Sequence, residues 1–106
     1  MTFSSIAEVP TQNAARYLNQ LCKHWAHTLH VELDGDVGRV EFPADARGAN
    51  WPAAATVTLT ASDNALTCRI DSSATGQLDG LKGALSRHLD RFAFREAPLP
   101  FNWRDQ

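Results

Sequence analysis

The sequence predicts a two-layer α+β domain, an antiparallel sheet of about four to five strands with two helices packed on one face, in the order β-α-β-β-β-β-α. Three observations carry this. Apolar residues recur at helical spacing in two places, Ala14 to Trp25 and Leu78 to Phe92. Between them, apolar and polar residues alternate strictly, as in half-buried strands. Short polar turns divide the alternating stretches.

Taken in order, Ser4 to Val9 is a first strand, and Pro10-Thr11 forms a boundary at which Thr11 is placed to cap a helix. That helix carries Ala14, Tyr17, Leu18, Leu21, Cys22 and Trp25 on one stripe and ends near His27. Leu29, Val31 and Leu33 then point one way and His30, Glu32 and Asp34 the other, and Asp34-Gly35 makes the turn into a return strand with Val40 and Phe42. Residues 43 to 54, broken by prolines and a glycine, read as a loop carrying Trp51. A second hairpin sets Val57, Leu59 and Ala61 against Leu66, Cys68 and Ile70 and leaves a threonine-rich face for water. Ser72 and Ser73 are cap candidates for the second helix, which buries Leu78, Leu81, Leu85, Leu89 and Phe92. Gly76, Gly80 and Gly83 fall on its far side, each costing about 1 kcal/mol of propensity against Ala, so its first half is expected to fray. The proline-rich tail is extended and tucks Phe101 and Trp103 against the body.

A chain of 106 residues suits one domain over residues 1–106. With 10 basic and 12 acidic residues and a net charge of -2, it offers no broad basic field for nucleic acid. No stretch approaches the roughly eighteen apolar residues of a membrane span, and the start lacks the basic and apolar regions of a secretion signal, so the expectation is a cytosolic protein. Cys22 and Cys68 are expected to remain reduced.

The stretch Leu21-Cys-Lys-His-Trp-Ala-His27 places one thiol and two imidazoles in seven residues. Helix geometry divides it, because Cys22 and His24 lie on opposite margins of the buried stripe, about 160° apart around the axis. His24 and His27, at i and i+3, share a face. On the second helix His88 lies at the edge of the buried stripe. If the two margins meet, His24, His27 and His88 converge as candidate ligands for zinc, iron or haem, leaving a position open for water or substrate. The same positions also suit histidines that only pack, with an apolar body inward and a polar edge outward. Cys22 reads as a core residue or, less simply, as a thiol beside the site, with Lys23, Arg91 and Arg95 as candidate anion-binding groups. The basic run Arg87, His88, Arg91, Arg95 equally suits the solvated C-terminal half of a helix. Asp34-Gly35-Asp36 lacks the glycine and glutamate of a calcium loop, and the three helix glycines match no phosphate or dinucleotide motif.

The blocks R-Y-L-N-Q-L-C-K-H-W-A-H (16–27) and R-H-L-D-R-F-A-F-R-E (87–96) together resemble the bacterial family known as domain of unknown function 2218. The resemblance covers nearly the whole chain, including Val31-Glu32 and Trp103. Its matching positions are Cys22, Lys23, His24 and His27, then His88, Arg91, Phe92, Phe94, Arg95 and Glu96. The loop from Ala44 to Ala54 is longer than the family pattern. The family implies no established activity, only an association with iron and siderophore uptake functions. The expectation is therefore a small binding protein for a metal or small ligand, linked to iron handling. The alternatives are an interaction module whose partner is another protein or a second copy, and a thiol- or metal-dependent enzyme on a small organic substrate. The residues favour binding over catalysis.

Overall fold

A computed structural model describes residues 2–106. The chain runs β1 (Phe3–Pro10), α1 (Ala14–Trp25), β2 (His30–Asp34), β3 (Val37–Phe42), a single 3-10 turn (Ala46–Gly48), β4 (Ala55–Ala61), β5 (Ala65–Ser72), α2 (Thr75–Phe92) and β6 (Arg104–Asp105). The strands form one six-stranded sheet in the order β2-β3-β4-β5-β1-β6, antiparallel throughout. The second hairpin pairs Val57 with Ile70, Leu59 with Cys68 and Ala61 with Leu66, which gathers the inward side chains in one layer. Over that layer lie Leu18, Leu21 and Cys22 of α1 and Leu81, Leu85 and Leu89 of α2, in a single core.

The sheet has one strand more than the expected four to five. Arg104–Asp105 is too short to show any alternation, and it forms because β1 has a free edge, where Asp105 pairs with Ser5 and Arg104 with Ile6. Lys82 of α2 holds the tail there through an ion pair with Asp105 at 2.7 Å. Phe101 and Trp103, stacked with centroids 5.7 Å apart, pack half-buried beside it. At the opposite edge β2 is mostly exposed, and Leu33, expected to face inward, is 46% exposed.

The helix starts differ from the expected caps. Thr11 does not cap α1. Its hydroxyl accepts the Asn13 N–H at 3.1 Å and donates to the Glu96 carboxylate at 2.9 Å. Glu96 also accepts from the Asn13 amide and the Tyr17 hydroxyl, so one carboxylate ties the start of α1 to the segment after α2. At α2 the helix begins at Thr75 without a side-chain cap, and the Gln77 amide oxygen accepts the Ser73 N–H at 2.8 Å. The glycines do not interrupt α2, which is continuous over Thr75–Phe92.

Gly38 sets how closely α1 approaches the sheet. It faces the core from β3, and a Cβ there would lie 2.5 Å from Cys22 Sγ and 3.0 Å from Leu18 Cδ1. Cys22 is 2% exposed and Cys68 fully buried, both free thiols. Burial pushes the Cys22 thiol up and the Cys68 thiol up to about 12.

Two outcomes are expected. Gly38→Ala overpacks the α1 contact and lowers stability by about 1–3 kcal/mol in denaturant unfolding; an unchanged midpoint would show that the contact relaxes freely. The hydrogen bond from Tyr17, with those from Asn13 and Thr11, holds the Glu96 carboxyl below the usual range. A depressed carboxyl stabilises the fold above its unfolded value of about 4.3 and loses that contribution as pH falls through the folded value. Glu96→Gln should therefore flatten the acid limb of stability against pH below about 4.3, read by thermal melts at stepped pH.

Candidate functional site

A cleft of about 560 Å³ opens between the C-terminal end of α1, one face of α2 and the loop after β3. It forms because α1 stops there. The Leu29 N–H bonds back to the Trp25 carbonyl at 2.8 Å, and the chain turns away into β2. The last turn of α1 leaves His24 exposed at the cleft wall and buries Trp25, which is 5% exposed. Trp25 packs edge-on against Phe42 with centroids 5.4 Å apart.

His88 enters from α2. Its ring centroid lies 5.2 Å from that of His24 and 5.4 Å from that of Trp25. Its Nδ1 lies 2.7 Å from the Ala84 carbonyl oxygen one turn back. A carbonyl can only accept, so Nδ1 carries the proton, and in the neutral ring Nε2 is left with the lone pair. Desolvation by the neighbouring cleft wall, with repulsion from His88, Arg91 and His27, holds the His24 imidazole below the ordinary histidine range. Indirect support of this kind, through the second ring nitrogen, is common behind metal-bound histidines.

The third wall is the loop. Trp51 N–H donates to the Ala44 carbonyl at 3.0 Å and closes a tight bend around the 3-10 turn. Within it Arg47 adopts φ 56° and ψ 35°, a left-handed conformation that costs an L-residue other than glycine about 1–2 kcal/mol. The far end of the loop is pinned to α2, since Gln77 Nε2 donates to the Ala53 carbonyl and Ser73 Oγ accepts the Ala53 N–H.

The three glycines of α2 acquire their explanation here. The indole of Trp51 lies where a Cβ of Gly76 would be, 2.8 Å from Cη2. Gly80 lines the cleft with nothing within 4 Å of its Cβ position, so the floor stays open. The Arg87 guanidinium folds to 2.9 Å from the Cβ position of Gly83. Gly80 thus lines the cleft itself, while Gly76 and Gly83 leave room for two of its lining residues, Trp51 and Arg87.

The expected site residues separate into groups. His24 and His88 come together at the cleft. His27 lies just beyond the end of α1, exposed. Among the described residues no three or more His, Cys, Asp or Glu side chains are grouped to hold a metal ion, so the three imidazoles do not form one ligand set. Cys22 points at Gly38 in the core, 2% exposed, and does not line the cleft. Lys23 and Arg91 are exposed outside the cleft lining. Arg95 lies over Phe94 at 5.7 Å and lines a separate hollow with Arg16 and Gln20. Sequence reasoning missed Phe42, Arg47, Trp51 and Gln77 as cleft residues, and it named Arg87 only as part of a basic run suited to an anion. The one available signal was the four-residue step from Gly76 to Gly80 to Ala84 to His88, which marks a single helix face.

Among the described residues, the lining contains His24, His88, Arg47 and Arg87 and no carboxylate, in a chain whose net charge is -2. Large exposed apolar side chains among the described residues are limited to Leu33 on β2 and Phe94 beyond α2, on different elements. No helix among the described residues is long and apolar enough to cross a membrane.

These features define a small two-layer α+β protein with an open, locally cationic cleft. The chain belongs to the family described as an uncharacterized protein conserved in bacteria (DUF2218), which matches residues 6–104. It is similar to PA4090 from Pseudomonas aeruginosa, known from an NMR structure, with 29% identity and a TM-score of 0.76 over 96% of this chain and 95% of that one. No match is found among the curated proteins.

Gly76→Ala should move the Trp51 ring while leaving α2 intact. In 1H–15N spectra the Trp51 indole N–H resonance shifts and that of Trp103 stays in place; a Trp51 resonance that does not move would show that the ring is not packed on Gly76.

Proposed function

We propose that this protein binds a small ligand in the cleft, with His24 and His88 as the nitrogen donors that give the site its metal link. The observation that carries the reading is the imidazole pair, 5.2 Å apart at the wall of a cleft with no carboxylate in its lining. Two histidines are too few to enclose zinc or iron, which take four or more ligands. A metal held here completes its coordination with the small ligand or with water, and haem would likewise meet imidazole nitrogen at the open wall. This favours binding of a metal together with a ligand over a closed structural site, and it agrees with a role in iron handling. The two buried free thiols suit a reducing, cytosolic setting. A purely structural role leaves unexplained why α2 keeps Gly80 open and the loop holds Arg47 in a costly conformation.

Titration of untagged protein with ferrous iron, zinc and haem tests this, followed by calorimetry and optical spectra. The expected outcome is binding at one equivalent that weakens about tenfold or more in His24→Ala and in His88→Ala, the loss of one ligand from a sparse set. His30→Ala, on β2 beside Glu32, should leave it unchanged. Equal binding by all four proteins would sink the reading.

A further inference from the structure

The cleft selects its occupant by shape and charge, and this selection deepens the reading above and rests on it. Trp25, Phe42 and Trp51 supply aromatic walls, and Gly80 and Ala84 let a flat group approach the α2 backbone. Aromatic faces of this kind prefer ring systems, by offset or edge-on stacking. The volume of about 560 Å³ falls within the range of small-molecule sites.

Two guanidinium groups stand at the same cleft. Arg47 and Arg87 both line it, and neither takes part in an ion pair among the described residues. Each sits beside an uncommon local feature. Arg47 occupies a left-handed backbone position, and Arg87 folds onto the space left by Gly83. Asp45, two residues from Arg47, is not part of the lining. Guanidinium groups without a protein carboxylate are suited to a two-pronged hold on an oxyanion.

From this we infer that the ligand is a flat aromatic oxyanion, its ring lying among Trp25, Phe42 and Trp51 and its carboxylate or phosphate meeting Arg47 and Arg87. The imidazole pair then lies beside the bound ring system, where a metal can be shared between His24, His88 and an oxygen of the ligand.

The test compares three probes of one shape in metal-free buffer by NMR titration: 2-naphthoate, 2-naphthyl phosphate and the neutral 2-naphthamide. The expected result is that an anionic probe shifts the Trp51 indole and the His24 and His88 ring signals, and binds about tenfold or more tightly than the amide. Arg47→Gln/Arg87→Gln should remove that preference while amide binding persists. The tighter of the two anions distinguishes a carboxylate ligand from a phosphate one. Equal affinity for anion and amide would overturn the charge selection and leave the cleft as a binding site. If no probe shifts Trp51 or the histidines, the aromatic-anion inference fails; the metal titration above then decides separately whether the imidazole pair binds.

Discussion

The helical layer depends on how closely α1 can lie against β3 at Gly38. Because that position has no side chain, Cys22 and Leu18 come down onto the sheet, and the stripe from Ala14 to Trp25 is buried along its length. Close seating turns the margin bearing His24 toward α2 and brings its ring to that of His88. Protein interiors transmit such placements because they are densely packed and compress little. The Glu96 carboxylate, just beyond the C-terminal end of α2, holds the start of α1 as well, through Thr11, Asn13 and Tyr17. α1 is thus positioned once by a close contact with the sheet and once by a polar tie, and the cleft opens where its last turn ends.

Much of the fold was legible in the residues, because strict alternation and helical spacing report directly which side chains leave water. The pairings Val57 with Ile70 and Leu59 with Cys68 follow from the alternation and the short turn. Legibility ended where an element owes its form to its neighbours. Arg104–Asp105 is a strand only because β1 has an edge to offer. Thr11 looks like a cap in sequence but bonds to a carboxylate 85 residues away. Leu33 continues the inward alternation, yet it lies on the edge strand and remains exposed.

The candidate site was legible in part. The two family blocks contain His24 and His88, and helix geometry alone separated Cys22 from them. The glycines of α2 were read by their propensity cost, which describes an isolated helix and omits what presses on it. Trp51 and Arg87, which line the cleft, occupy the spaces beside Gly76 and Gly83, so the same glycines make room for its wall. Arg47 and Trp51 were hidden for a related reason. Loop residues carry no periodicity, and their position follows from the Ala44–Trp51 hydrogen bond and the tie of Ala53 to α2.

The tail strand has a bearing on solubility that its two residues do not suggest. A bare strand edge is a template on which other chains can add, and soluble β proteins shield or disrupt such edges. In this sheet the two borders are protected by different means. β2 presents His30, Glu32 and Asp34, polar groups that discourage a flat apolar approach. β1 has fewer charges, and instead it is covered midway by Arg104–Asp105, clamped by Lys82 with the Phe101–Trp103 stack beside it. The last residues therefore act as a seal against edge-to-edge aggregation, and the ion pair from α2 joins that seal to the helix whose opposite face forms the cleft.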